Sequence, residues 1–306
     1  MESQIRFFIR ARTRVFGLGK SLSFQPSASR RGVPAVKEGY WVVRTYTAGA
    51  VGEKTKFWIP GKRPTGKNKR KEKSEIRKQA QNEYSAVKQA ARLLNENFNA
   101  GDLLLGLDYS ETGMKKLEKW IEKQGVVLNS LDEADRLQML WDAADHELTN
   151  CMRRASRHAK RLGVQLKAMI TTSDMDGETG ETVRVHHHLV INVEAKDAFL
   201  LAWKDMGSVD WEDMWTFQDD RTPIAEYMLR QVRRIPDAKK YRTTRNLVRP
   251  VPKDRIVLTD AELRVPKGGK LLFRNEFTKP GQAQYIRYLL PKNDVHRPPD
   301  AGGVDE

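Results

Sequence analysis

The chain has 306 residues, with 55 Lys and Arg against 40 Asp and Glu, which gives a net charge of +15 at pH 7 and a pI near 9.8. A hydrophobic content of 39% excludes a wholly disordered chain, and the excess of positive charge favours a polyanionic partner. Because Cys151 is the only cysteine, a disulfide-stapled secreted scaffold and a cysteine-rich zinc site are excluded, and we expect a cytoplasmic protein.

The first twenty residues carry arginines at positions 6, 10, 12 and 14, and this spacing interrupts any signal-peptide core. No apolar run elsewhere is long enough to cross a bilayer, so we expect no membrane segment. A basic amphipathic arm lying on a membrane surface remains an alternative.

Residues 40–49 have the aromatic and β-branched density of a strand, and we expect an edge strand there. Residues 61–73 contain seven Lys or Arg against the single Glu72. This run predicts either a flexible basic arm that contacts phosphates or a solvated linker. The arm would contact phosphates through Lys69, Arg70 and Lys71.

The central part of the chain alternates helical and strand patterns. Residues 75–98 have apolar residues every three or four positions, which predicts an amphipathic helix, and residues 102–110 predict a buried strand. A long helix follows, with the capping-box spacing of Ser130 and Glu133 at its start and Gly163 at its end. Its last turns are rich in arginine, which suits both the helix dipole and phosphate.

Residues 164–173 and 183–194 predict two strands of an antiparallel hairpin. Because side chains alternate along a strand, His187 lies on the apolar side, while His186 and His188 share the other face with Arg184. Two imidazoles spaced in this way project in parallel and can hold one divalent ion. A surface cluster of histidines remains the alternative.

A helix begins near Thr222, a plausible N-cap, with Pro223 at the first helical position. Its helical spacing places Tyr227 beside Arg230 and Arg234. Guanidinium groups around a tyrosine position a phosphodiester and favour the phenolate that attacks phosphorus. The alternative is a boundary tyrosine on an amphipathic helix with exposed arginines.

Four segments occur in order along the chain: DLLLGLDYS, HHHLVIN, EYMLRQ and KYRTTRNLVRP. This ordered series resembles the HUH endonucleases, specifically the rolling-circle replication initiators (Rep proteins) of phages and plasmids. Those enzymes have a first strand motif, a His-hydrophobic-His strand and a Tyr-x-x-Lys helix in this order. The resemblance covers roughly residues 40–291.

The resemblance implies a catalytic site made of a metal-binding pair and a nucleophile. His186 and His188 match the pair, Tyr227 matches the nucleophile, and Arg230 stands where the family usually has Lys. The family often has a third, acidic ligand late in the strand before the histidine strand, and Asp174 is the carboxylate available there. The first motif, usually Thr-Leu-Thr-Tyr, here reads Gly-Leu-Asp-Tyr at residues 106–109.

The resemblance also implies a reaction and its partners. With Mg²⁺ or Mn²⁺ bound, the tyrosine would nick single-stranded DNA at a replication origin and leave a 5′-phosphotyrosine and a free 3′-OH. A host helicase and polymerase would then act on the nicked strand. A relaxase or single-strand transposase of the same superfamily remains an alternative, as does a non-catalytic nucleic-acid-binding protein with incidental histidines.

We expect an α+β fold with a central antiparallel sheet, the histidine strand near its middle and helices packed mainly on one face. The expected organisation is a basic arm and edge strand (1–74), an endonuclease core (75–249) and a C-terminal extension packing on the core (250–306). The residues expected to contact DNA are Lys69, Arg70, Lys71, Arg154, Arg157, Arg161, Arg184, Arg234 and Arg245.

Overall fold

The computed structural model describes residues 39–60, 75–176, 179–214, 217, 219–230, 232, 240–257, 260–275 and 283–291. These residues form an α+β fold with five α-helices and two five-stranded antiparallel sheets. The N-terminal arm and the basic run with Lys69, Arg70 and Lys71 lie outside the described residues, as does Arg234. None of the described helices is long and apolar enough to span a bilayer.

The first of the two sheets, the histidine sheet, has five strands in the order β6-β3-β5-β4-β7. The strands are β3 (Leu103–Tyr109), β4 (Ala168–Met175), β5 (Thr182–Ile191), β6 (Gly207–Asp213) and β7 (Arg242–Thr243). The predicted buried strand is confirmed as β3, and the predicted hairpin is confirmed as β4 paired with β5. The three histidines lie on β5, which is the middle strand, as expected.

Helices cover both faces of the histidine sheet. The helices are α1 (Glu75–Asn97), α2 (Glu111–Lys123), α3 (Glu133–Arg161), α4 (Lys196–Trp203) and α5 (Thr222–Arg230). One face packs against α2, α3 and α4, and the other packs against α1 and α5. The expectation of helices mainly on one face is therefore wrong. Both faces are covered because Leu104, Met169 and Val190 make the second face apolar too.

The second sheet, the terminal sheet, has the strand order β8-β1-β2-β10-β9. Its strands are β1 (Gly39–Ala48), β2 (Val51–Pro60), β8 (Lys253–Val257), β9 (Lys270–Arg274) and β10 (Gln284–Leu289). Because β1 pairs with β2 on one side and with β8 on the other, the edge-strand expectation is wrong. Strands from both ends of the chain thus form one sheet.

Helix α1 lies between the two sheets. Its apolar side, which includes Ala90 and Leu94, packs against the histidine sheet. Its polar side reaches the terminal sheet, where Arg92 forms an ion pair with Glu53 at 2.7 Å and lies 3.5 Å from the ring centre of Tyr46. The helix therefore links the two sheets by apolar contacts on one side and by charge and aromatic contacts on the other.

The ends of two helices differ from the sequence expectation. Helix α3 is capped by Asp132, whose carboxylate accepts from the Asp135 N–H, while Ser130 lies in a preceding 3₁₀ turn. The expected stop at Gly163 is confirmed, since Gly163 follows the helix with a φ of 74°. At the start of α5 the carboxylate of Asp220 accepts from both the N–H and the hydroxyl of Thr222, so Thr222 donates instead of capping.

Candidate functional site

The histidines at positions 186 and 188 form a pair on one face of β5. Their ring centres are 5.0 Å apart with nearly perpendicular ring planes. His188 is buried and His186 is half-buried. Because a carbonyl oxygen only accepts, His186 Nδ1 carries the proton that it donates to the Arg184 carbonyl at 3.0 Å. In the neutral imidazole this hydrogen bond holds the proton on Nδ1, so Nε2 is the nitrogen that could bind a metal.

His187 lies on the opposite face, as the strand alternation predicts, and belongs to the core. Its Nε2 is 2.8 Å from the Tyr109 hydroxyl, and its Nδ1 is 2.9 Å from the Thr172 hydroxyl. Complete burial, together with the charge of Arg242, lowers the pKa of His187 well below its ordinary value. His187 is therefore a neutral, hydrogen-bonded core residue that anchors the middle strand.

Tyr227 lies directly against the histidine pair. Its ring centre is 5.2 Å from that of His188, at an interplanar angle of 70°. The tyrosine is half-buried because α5 inserts Ile224 and Met228 into the core beneath it. The structure thus brings together the three residues that the sequence singled out, from a strand and from a helix. Arg230 follows one turn later, exposed at the last residue of α5.

Asp174 does not complete a three-ligand group with the pair in the described part of the chain. It is buried on β4, two residues beyond Thr172, whose hydroxyl contacts His187. The register between β4 and β5 becomes irregular at this residue, so strand alternation does not assign its side chain to either face of the sheet. Within the described part of the chain, no three His, Cys, Asp or Glu side chains converge on one point.

The acidic residue adjacent to the pair is Asp108, to which the sequence gave no role. The pairing of β3 with β5 sets Asp108 directly opposite His186, so both side chains project from the same face. Gly106 is opposite His188 on one side and Asp210 on the other. A Cβ atom at Gly106 would meet nothing within 4 Å, so the face is open next to His188. The available sequence clue was the aspartate in the first motif.

The arginines expected to contact DNA fall into different places. Arg184 shares the face of the pair, and its guanidinium donates to the Tyr109 carbonyl at 3.1 Å. Arg154 is held by Glu147 and by the Ala202 carbonyl, so it joins α3 to α4. The remaining described arginines of the prediction are exposed, and they are Arg157, Arg161 and Arg245. Arg157 and Arg161 belong to α3, on the face of the sheet away from Tyr227.

The residues present fit a divalent cation. Two imidazoles on one face of β5 can hold a divalent cation and leave its other positions to the oxygen ligands of phosphate and water, which Mg²⁺ and Mn²⁺ prefer. His186 and His188 would hold the ion, and the half-exposed edge of His186 gives it access from solvent. Comparison of the chain with protein-family models, with curated proteins and with solved structures finds no match.

Proposed function

We propose that this protein is a metal-dependent tyrosine endonuclease of the HUH class that nicks single-stranded DNA at a replication origin in the bacterial cytoplasm. One observation carries the proposal: the Tyr227 ring packs against His188 at 5.2 Å, beside a second histidine on the same face of β5. A nucleophilic tyrosine beside a histidine pair is the arrangement that metal-assisted attack on phosphorus needs.

In the proposed reaction, Tyr227 is the nucleophile. A bound Mg²⁺ or Mn²⁺ would neutralise charge on the scissile phosphate. The phenolic oxygen attacks phosphorus and loses its proton to water, the bond from phosphorus to the 3′ oxygen breaks, and that oxygen takes up a proton. The products are a 5′-phosphotyrosine and a free 3′-OH. Packing on His188 fixes the tyrosine ring, so less entropy is lost when the ring reaches the geometry of attack.

The charged neighbours of the site bind the substrate strand. Arg184 lies on the same face as the pair, and Arg230 is one turn of α5 from Tyr227, so both guanidinium groups are placed to contact phosphates near the cut. The free 3′-OH can prime a host polymerase, and a host helicase would unwind the strand ahead of it. The covalent link keeps the bond energy for rejoining the ends.

The Tyr227→Phe variant tests the nucleophile. We expect the wild type with Mn²⁺ to nick supercoiled DNA that carries the cognate origin and to remain attached to the 5′ end, whereas Tyr227→Phe does neither. The measurement is nicking on an agarose gel, together with detection of the protein–DNA adduct on a denaturing gel.

The matched control is Tyr40→Phe, which removes a hydroxyl from an exposed tyrosine of β1. This variant should nick like the wild type. Nicking by Tyr227→Phe at the wild-type rate would contradict the assignment of the nucleophile, and DNA binding without any nicking by the wild type would favour a non-catalytic binding protein.

A further inference from the structure

We infer that Asp108, on β3, supplies the third protein ligand of the metal site, in place of a carboxylate from β4. This inference rests on the proposed function, because that function is what calls for a divalent ion at His186 and His188. The ion bound there would be held by two imidazoles and one carboxylate, a ligand set that suits Mn²⁺ or Mg²⁺ and leaves positions for phosphate and water.

The strand register places Asp108 next to the pair. Asp108 is directly opposite His186 in the β3–β5 ladder, and residues opposite each other in an antiparallel pair have Cβ atoms about 4.5–5.5 Å apart. Its chain neighbours Leu107 and Tyr109 are 0% and 2% exposed on the opposite face, so the backbone on which Asp108 sits is fixed by the core. The backbone position of Asp108 is therefore set by the fold.

The other acids near the pair are worse placed. Asp210 lies on β6, two strands from β5, at roughly 9–10 Å by strand spacing, with Gly106 between it and His188. Asp174 is buried on β4 at an irregularity of the strand register, forms no three-ligand group with the pair, and has less room to turn than an exposed side chain. Among the described acids, Asp108 is thus the exposed one that the strand ladder sets directly opposite a histidine of the pair.

Metal binding in this arrangement requires the side chain of Asp108 to turn toward the pair. No three metal-ligating side chains of the described residues converge yet, but Asp108 is exposed, so its carboxylate can change rotamer without disturbing packed neighbours. On β4, the residues opposite His186 and His188 are Ser173 and Thr171, which carry no charge. The site therefore takes its negative charge from the β3 side.

Direct measurement of Mn²⁺ binding tests this inference without using DNA cleavage. We would titrate Mn²⁺ into the full-length wild type and into Asp108→Asn, following free Mn²⁺ by electron paramagnetic resonance. Loss of a residue that only hydrogen-bonds to a metal ligand typically costs roughly 10–100-fold in metal affinity. Loss of a carboxylate that binds the metal directly should weaken Mn²⁺ binding by at least as much. The matched control is Asp197→Asn on α4, exposed on the far face of the sheet, which should bind Mn²⁺ like the wild type.

The variant Asp174→Asn separates the two candidate carboxylates. We expect it to bind Mn²⁺ within about twofold of the wild type, provided that its circular dichroism shows a folded chain. Wild-type affinity in Asp108→Asn, or loss of affinity in Asp174→Asn instead, would overturn the inference.

The two proposals fail in different ways. If the wild type binds Mn²⁺ through Asp108 but never nicks DNA, the proposed function fails and the metal site stands. If the wild type nicks DNA and Asp108→Asn binds Mn²⁺ normally, the function stands and the inference on Asp108 fails. Absence of any Mn²⁺ binding by the wild type would overturn the inference outright.

Discussion

Three consecutive histidines on one strand have two different roles. His187 is fully buried and hydrogen-bonded to Tyr109 and Thr172, whereas its neighbours project from the other face toward Tyr227. The buried network fixes the rotation of β5 about its axis, and this rotation sets the direction of the two imidazoles. His187 thus supports the candidate site from the opposite face of the strand.

The glycine opposite His188 gives a test of the open face. Gly106→Val would add a side chain to a space in which a Cβ meets nothing within 4 Å, so the fold should tolerate it and the space next to His188 should be filled. Because displacing a substrate by about 1 Å slows a reaction strongly, we expect the nicking rate to fall by about tenfold or more. Thermal stability should change little. Nicking kinetics and a thermal melt are the measurements.

The matched control is Gly101→Val, since Gly101 also has nothing within 4 Å of a Cβ and lies in the turn before β3. That variant should nick normally. A Gly106→Val protein that melts at the wild-type temperature and nicks at the wild-type rate would show that substrate does not approach His188 across β3.

The sequence identified most of the site because its residues follow local periodicity. Strand alternation alone separated His187 from His186 and His188, and helical spacing alone put Tyr227 on the surface of a packed helix. Asp108 was missed because its adjacency to His186 depends on the register between two strands far apart in sequence. Asp174 was favoured because the resemblance implies an acidic ligand late in the strand before the histidine strand, but in the structure it is buried at an irregularity of the register and forms no three-ligand group with the pair.

At the scale of elements, a partly buried lysine lies among aromatic rings where α1 meets the terminal sheet. The Lys88 ammonium lies 3.3 Å from the ring centre of Tyr285 and 4.3 Å from that of Tyr84. Burial lowers the pKa of Lys88 from 10.5 to about 8, although Glu53 opposes the shift. This lysine therefore makes the link between helix and sheet sensitive to mildly alkaline pH.

We expect Lys88 to make the protein more stable as the pH rises from about 8 to about 10. In this window the unfolded chain keeps the Lys88 proton that the folded chain has lost. The free energy of unfolding therefore increases with pH. The free energy of unfolding should increase by on the order of 1 kcal/mol. The increase is no larger because water still reaches part of the Lys88 side chain and screens its charge. Urea unfolding of the wild type and of Lys88→Met across this window measures it.

The comparison with Lys88→Met isolates this lysine from other groups that titrate above pH 8. The variant should lack the rise, while Lys119→Met, which removes an exposed lysine of α2, should retain it. Parallel stability curves for the wild type and Lys88→Met would show that the ammonium is stabilised equally in the folded and unfolded chains.

Elements with their own local pattern were predicted, and elements defined by distant partners were not. Strand β3 and the β4–β5 hairpin carry apolar runs and turn residues within a few positions, and both are confirmed. The strand β1 has a similar local pattern, but its neighbour β8 lies some two hundred residues along the chain, so the sequence alone did not reveal that β1 is internal.

At the scale of the whole molecule, positive charge is present on both faces of the histidine sheet. Tyr227 and Arg230 are on the face covered by α1 and α5, whereas Arg157 and Arg161 are exposed on α3, on the other face. A short strand bound at Tyr227 cannot reach both groups, because the sheet and its core lie between them. The arginines of α3 would therefore contact only nucleic acid that extends around the protein.

A double charge reversal on α3 tests this separation. We expect Arg157→Glu with Arg161→Glu to weaken binding of a long single strand and to reduce its salt dependence, with a slope smaller by about 0.7 for each lost phosphate contact. Binding and nicking of an oligonucleotide of about 10 nucleotides centred on the cut should stay at the wild-type level. Fluorescence anisotropy over a range of salt concentrations gives the slopes.

The matched control reverses the charges of Lys119 and Lys123 on α2. This helix packs near the middle of α3 through Trp120 and His146, away from the last turns of α3. Equal losses for long and short substrates would mean that the α3 arginines act at the cutting site or on folding, and that the two faces do not bind nucleic acid separately.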